Sequence, residues 1–263
     1  MPELPEVETV VRSITPHVVG HKIVHALLSS ARVTRGNHSE TADSLAGRVV
    51  ERVRRHGKQI FFELDCGMLY VHLGMTGKLL WNALPSKHTR AVLTMDNGTL
   101  LYDDARMFGR VEYHAEIPSA LAKAGPDALV IDAAEFCARL KQHRGPIKAL
   151  LLNQNFISGV GNIYADESLF AARIHPRAGA RRISRERAVE LHGQLVEILG
   201  QAIRHKGSSI SDYVNAAGEK GSFQQMHAVY GRAGSACLRC GQPIRRIVLG
   251  QRGTHYCPRC QRV

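Results

Sequence analysis

Apolar residues recur every three to four positions over residues 2–15, where Val7, Val10, Val11 and Ile14 share one face, so the chain is predicted to begin with a helix. Pro2 and Pro5 sit in its first turn, where a missing N–H costs nothing, and Glu3 and Glu6 face the positive end of its dipole. Pro16 is expected to end it. From about residue 21 to 116 the pattern becomes short β-branched and aromatic runs between turn residues: 22–28, 49–54, 59–64, 68–72, 77–81, 91–95, 99–103 and 110–114. Runs of this length and spacing predict a sandwich or barrel of antiparallel strands. Beyond Pro126 the helical period returns, over 132–142, 146–153, 162–171, 184–205 and 211–215, and 237–260 reads as a hairpin. The change falls near residues 118–131, where Pro118, Gly125 and Pro126 cluster.

Charge divides along the same line. Residues 1–138 carry 15 basic and 16 acidic side chains, whereas 139–263 carry 20 basic and 7 acidic, so the whole excess of +12 lies in the second part. A basic face of that size is the electrostatic footprint of a polyanion binder, or else a solvated surface. A hydrophobic fraction of 44% with 22% charged residues excludes disordered and collagen-like classes. Apolar stretches of about four residues are far short of a membrane span, and the acidic, proline-punctuated start is not a secretory signal, so a cytoplasmic protein is expected.

Two clusters carry candidate chemistry. Cys237-x-x-Cys240 and Cys257-x-x-Cys260, 16 residues apart, match the two knuckles of a tetrahedral zinc site. The alternative, two disulfides, needs an oxidising compartment for which the chain carries no signal. Four thiolates leave no open position, so the metal is expected to be structural. Between the knuckles, Arg245, Arg246 and Arg252 suit phosphates or a groove, or are simply solvated. Cys66 and Cys137 are expected to be buried small hydrophobes. The second cluster is Ser158-Gly159-Val160-Gly161-Asn162, a glycine turn opening a helix with Asn162 as N-cap; it reads either as a plain interhelical turn or as an anion site.

Five segments in order, Pro2-Glu3-Leu4-Pro5-Glu6-Val7-Glu8, His72-Leu73-Gly74-Met75-Thr76-Gly77, Gly159-Val160-Gly161-Asn162-Ile163-Tyr164, Val229-Tyr230-Gly231-Arg232 and the four-cysteine hairpin, resemble the bacterial formamidopyrimidine-DNA glycosylases and their endonuclease VIII relatives across the whole chain. The resemblance implies an α+β protein: an N-terminal antiparallel β-sandwich with flanking helices (1–125), a helix-two-turn-helix bundle (132–223) and a zinc-finger β-hairpin (229–263). It also implies a base-excision repair enzyme, a monomer with one structural zinc, acting on double-stranded DNA with oxidised bases or abasic sites and held on the nucleoid through that DNA. The activity implied is excision of oxidised purines followed by β,δ-elimination. The alternatives are an oxidised-pyrimidine glycosylase and a non-catalytic zinc-dependent DNA-binding relative.

Residue by residue, the resemblance makes Pro2 the nucleophile once Met1 is removed, Glu3 the acid/base, Lys58 the phosphate-binding and proton-transfer lysine, and Arg252 the hairpin arginine that aids δ-elimination. Glu6 could shape the same site. Met75, Arg106 and Phe108 match the residues that fill the gap left by an extruded base, and His72, His88, His143, Lys148 and Asn162 fall among the DNA-contacting positions. The usual Asp-Pro-Arg-Arg-Phe run is Asp104-Ala105-Arg106-Met107-Phe108 here. Residues 207–223 resemble the loop that covers 8-oxoguanine in the purine-specific branch.

Overall fold

The computed structural model describes residues 1–116, 123–210 and 212–262. The chain divides into two compact units: Met1–Ala122 with His205–Ser222, and Lys123–Arg204 with Phe223–Val263. Of the boundary expected at 118–131, residues 118–122 lie outside the described residues.

In the first unit α1 (Leu4–Val18) is followed by β1 (Ile23–Leu28), two short helices α2 (Ala31–Thr34) and α3 (His38–Leu45), and seven further strands. These are β2 (Val50–His56), β3 (Gln59–Leu64), β4 (Met68–His72), β5 (Lys78–Trp81), β6 (Thr89–Met95), β7 (Gly98–Asp103) and β8 (Arg110–His114). They form two antiparallel four-stranded sheets, in the orders β1-β6-β7-β5 and β2-β3-β4-β8. The sandwich reading therefore holds over the barrel. Its core joins Ile23, Val50, Ile60, Phe62, Leu69, Val71, Leu93 and Leu100 of the sheets to Val7, Val10, Val11 and Ile14, the predicted inner face of α1.

Pro16 does not end α1. It lies inside the last turn, and Val19 N–H closes that turn on the Thr15 carbonyl at 3.1 Å. The helix 211–215 is also absent over its described residues, 212–215. Tyr213 and Ala216 are drawn into the sandwich core instead, and the Trp81 N–H donates to the Ala216 carbonyl at 2.9 Å. Residues 205–222 thus group with the first unit.

The second unit holds α4 (Ala133–Lys141), α5 (Ile147–Leu151), α6 (Asn162–Ala171), α7 (Arg185–Arg204) and the hairpin β9 (Arg245–Leu249)–β10 (Arg252–Tyr256). Asp132 caps α4 by accepting the Glu135 N–H at 2.8 Å. From Ile163 to Phe170 every residue of α6 is buried, so this helix has no solvent face. The hairpin turns on Gly250 and Gln251, both at positive φ (54° and 61°), as a two-residue turn compatible with strand twist requires.

Candidate functional site

In the first unit Pro2, Glu3 and Glu6, expected at the site, lie at the start of α1. Pro2 is buried, and the Glu3 and Glu6 side chains are almost wholly removed from solvent. Glu6 spans two segments: Oε2 accepts the Glu3 N–H at 2.7 Å and Oε1 accepts the Ser208 N–H at 2.8 Å. The Tyr213 hydroxyl donates to the Glu6 carbonyl at 3.2 Å. Gly207 is at φ 79°, and a Cβ there would sit 2.7 Å from Glu6 Oε1, so only glycine lets this strand of chain approach the carboxylate.

Lys58 occupies the two-residue turn between β2 and β3, with Gly57 at φ 58° beside it. The turn is tied to α1 by Arg55, which donates to Glu8 Oε2 at 2.8 Å and to the Gly57 carbonyl at 2.9 Å. Burial would raise the Glu8 carboxyl, but the hydrogen bonds and charges of Arg55 and Arg12 outweigh it and hold it below its ordinary value. Gln59 pairs with His72 across β3 and β4, which brings Lys58 alongside His72. Burial first, then the positive charges of Arg110 and Lys58, push the His72 pKa down to about 4. The Gly74 N–H donates to its Nδ1 at 3.1 Å, so the neutral ring carries its proton on Nε2 and meets an anion as a donor, not as a cation.

The two loops bearing Met75, Arg106 and Phe108 are organised by one carboxylate. Asp104 is fully buried and accepts from the Thr76 hydroxyl at 2.6 Å, the Arg106 N–H at 3.2 Å and the Gly109 N–H at 2.9 Å. A Cβ on Gly109 would lie 1.7 Å from the Tyr102 hydroxyl, which locks glycine there. Met75 is 41% exposed and Phe108 57%, so neither belongs to the core, and the Arg106 guanidinium stacks 4.7 Å over the Phe108 ring. His88 lines a recess of about 310 Å³ with Thr76, Lys78, Asp103, Ala105 and Asp212.

In the second unit Asn162 is the first residue of α6 and Gly161, not Asn162, is its N-cap. The Asn162 amide is turned to β10, where Nδ2 donates to the Gly253 carbonyl at 3.0 Å. Gln154 clamps the glycine turn: Oε1 accepts the Gly159 N–H and Nε2 donates to the Val160 carbonyl, both at 2.9 Å. Lys148, expected among the DNA contacts, is fully buried against Asp166 at 2.6 Å and presents no ammonium to a ligand. His143 is exposed, with its ring edge-on to Phe156, and Arg252 is exposed at the start of β10.

The sulfurs of Cys237, Cys240, Cys257 and Cys260 all lie within 4.8 Å of one another, Cys237 to Cys260 at 3.9 Å and Cys240 to Cys257 at 3.5 Å. A tetrahedron with Zn–S bonds of about 2.3 Å has sulfur–sulfur edges of about 3.8 Å. Backbone N–H groups of Arg239 and Cys260 point at the Cys237 and Cys257 sulfurs at 3.4 Å, as knuckles require. The four cysteines bind one structural zinc. Cys66, by contrast, is exposed in the turn after β3 and is not the small core residue expected, whereas Cys137 is buried.

Three family models match in order: formamidopyrimidine-DNA glycosylase N-terminal domain over residues 1–111, its H2TH domain over 124–214, and the zinc finger found in FPG and IleRS over 234–263. A Solibacter usitatus formamidopyrimidine-DNA glycosylase is 52% identical over the full length of both chains. The chain belongs to the formamidopyrimidine-DNA glycosylase family. Among solved structures, a Lactococcus lactis Fpg mutant in complex with Fapy-dG-containing DNA is 36% identical with a TM-score of 0.92, full coverage on both sides. Wild-type Lactococcus lactis Fpg in complex with DNA containing an oxidised pyrimidine is 35% identical with a TM-score of 0.91, again covering both chains fully.

Against the usual glycosylase run, Met107 is at φ 53° and turns inward to pack on the sandwich core, while Ala105 is exposed. Loop geometry therefore rests on Asp104 and not on a proline. Asp104→Ala would strand the Thr76 and Gly109 donors in a buried site, and a loss of about 3 kcal/mol in urea unfolding is expected; a loss under about 1 kcal/mol would contradict this role. Sequence reasoning passed over Asp104, Arg55, Gln154 and Glu167. Glu167 is buried on α6 and accepts the N–H groups of Ala228, Val229 and Tyr230 at 2.8, 3.0 and 2.7 Å. A carboxylate written into a helix or loop reads as surface charge, and only the place of Asp104 in the 104–108 run, and of Glu167 three residues after Tyr164, could have drawn attention to them.

Proposed function

We propose that this glycosylase excises oxidised purines and cuts the resulting abasic site through the amine of Pro2. The observation that carries the reading is the convergence, within one unit, of the Pro2-Glu3 turn on Glu6 and of the Lys58 turn on the same helix through Arg55 and Glu8. With Met1 removed, Pro2 has a free secondary amine; an α-amino group has a pKa of about 8, so a useful fraction is unprotonated at neutral pH. Its nitrogen attacks C1′ of the damaged nucleotide, the glycosidic bond breaks, and Glu3 protonates the departing base or opened sugar. The resulting iminium acidifies the C2′ protons. Loss of one of them expels the 3′ phosphate, with Lys58 as proton-transfer group, and a second elimination assisted by Arg252 expels the 5′ phosphate.

Excision needs the nucleotide out of the stack. Met75 and Phe108, exposed beside Arg106, are the wedges that fill the vacated space, with Arg106 toward the opposite base. His72 donates to a backbone phosphate from Nε2, and Asn162, His88 and His143 complete the set of DNA contacts. The segment 207–223, whose Ser208 N–H donates to Glu6, is the one that covers the extruded purine in this reading. The enzyme is expected in the cytoplasm, held on the nucleoid by its DNA; among the described residues no helix is long and apolar enough to cross a membrane.

The relative seen with an oxidised pyrimidine supports a second reading, a pyrimidine-lesion enzyme. Duplexes carrying 8-oxoguanine opposite C and thymine glycol opposite A separate the two. Single-turnover excision of 8-oxoguanine is expected to be at least about tenfold faster, and a preference for thymine glycol would overturn the purine reading. A protein that nicks neither these nor an abasic duplex would be a non-catalytic DNA binder.

A further inference from the structure

Arg252 opens β10, and the three residues after it are each fastened by a polar cluster of which the reading above uses only Asn162. Asp166, on the second turn of α6, has no exposed surface, and its Oδ1 lies 2.6 Å from Lys148 Nζ. Its Oδ2 accepts the His255 N–H at 2.8 Å and lies 3.2 Å from His255 Nδ1. Lys148 Nζ also donates to the Gly253 carbonyl at 3.2 Å and to Thr254 Oγ1 at 2.8 Å. Asn162, one helical turn before Asp166 on α6, donates to the same Gly253 carbonyl.

A carboxylate and an ammonium with essentially no solvent contact gain little net stability, because the cost of desolvating both offsets their attraction. What such a pair does supply is direction. Gly253, Thr254 and His255 cannot shift along or away from α6 without breaking their bonds to Lys148, Asn162 or Asp166, and Arg252 is the next residue out on the strand. We propose that Asp166 is a positioning residue for Arg252: through Lys148 and His255 it sets where β10 delivers the guanidinium, and it couples that placement to Asn162. The inference rests on Arg252 assisting δ-elimination, as proposed above.

Asp166→Asn tests it in the full-length zinc-loaded protein, because the amide oxygen still accepts the His255 N–H while the charge that holds Lys148 is removed. On abasic duplex the expected result is β-elimination within about twofold of the parent, one zinc per chain retained, and a ratio of δ- to β-product lowered about tenfold or more, since small misplacements of a catalytic group are costly. Added to Arg252→Gln, the substitution is expected to change that ratio no further. An unchanged ratio in Asp166→Asn, or an equal further fall on the Arg252→Gln background, overturns the positioning role. If Asp166→Asn fails to fold or loses zinc, Thr254→Val, which removes the hydroxyl that links Lys148 Nζ at 2.8 Å to the Arg252 carbonyl at 3.2 Å, is expected to lower the ratio severalfold with zinc retained, and no change there overturns the proposal. If Arg252→Gln itself leaves the ratio untouched, the reading of Arg252 falls and this inference with it, an outcome distinct from a silent Asp166→Asn beside an impaired Arg252→Gln.

Discussion

A variant with one extra glycine before Pro2 is expected to lose base excision and strand cleavage by at least about a thousandfold, while binding duplex with an abasic-site analogue within a few-fold of the processed enzyme. In that variant, as in any chain that keeps Met1, the Pro2 nitrogen is a tertiary amide whose lone pair is delocalised into the carbonyl. The added glycine has an α-amine of similar basicity, but it lies one residue away from the position from which attack is proposed, and Lys58 is proposed for proton transfer and phosphate binding. Met1 is 49% exposed and precedes the first turn of α1, so its removal disturbs no core packing. The processed and extended proteins are compared by single-turnover kinetics on 8-oxoguanine duplex and by fluorescence anisotropy. Comparable rates would remove the α-amine from the mechanism.

The second large effect concerns the zinc. β9 and β10 form a two-stranded ribbon, which is marginal without further support. Its base is closed by the four cysteines and a small apolar cluster of Phe170, Val229, Cys237, Ile244 and Cys257. Metal binding at such sites is folding free energy, so Cys257→Ser, or stripping the zinc with a chelator, is expected to loosen the ribbon and free Arg252, Arg245 and Arg246 from their common platform. Duplex affinity should drop about a hundredfold, and the log–log dependence on salt should flatten by about 0.9 for each phosphate that the protein no longer neutralises. The sandwich has its own core in the first unit and should keep its near-ultraviolet signature. Zinc-free protein with unchanged affinity and salt slope would show that the hairpin does not hold DNA.

Much of this was legible in the residues, and the pattern of what was not has a physical cause. Strands with a clean alternation or a β-branched run were found at their ends, as with β3, β4 and β8, and α6 was bounded to the residue. The helix α3 was missed because only Leu45 of it is buried; it stands on a local cap, Asn37 accepting the Ser39 and Glu40 N–H groups, and shows no apolar stripe. The helix expected at 211–215 failed for the opposite reason, since Tyr213 and Ala216 serve a core built by distant strands. Lys148 and Cys66 went wrong together: a lysine reads as surface and a cysteine as interior until the partner is known, and Asp166 lies eighteen residues away from Lys148 on another helix.

Spacing alone pointed to the zinc cysteines, whereas Pro2, Glu3 and Lys58 stood out only through the resemblance to the glycosylase family. The side chains that organise the surrounding backbone emerge only when remote segments are seen to meet at one group: backbone N–H groups at the Glu6 and Asp104 carboxylates, and the Glu8 carboxylate accepting from the Arg55 guanidinium. Short-range pattern carries no record of such convergence, because the donors are backbone groups that every residue possesses.

The most direct measurement is to incubate the processed protein with 8-oxoguanine duplex, reduce with borohydride and sequence the cross-linked peptide by mass spectrometry. An amine that has displaced the base at C1′ exists as an iminium, and reduction fixes it as a stable secondary or tertiary amine. The account predicts one adduct per chain, on the N-terminal peptide at Pro2, formed in proportion to active enzyme and absent from the glycine-extended variant. An adduct on Lys58 or another lysine, or base excision without any trappable species, would contradict it.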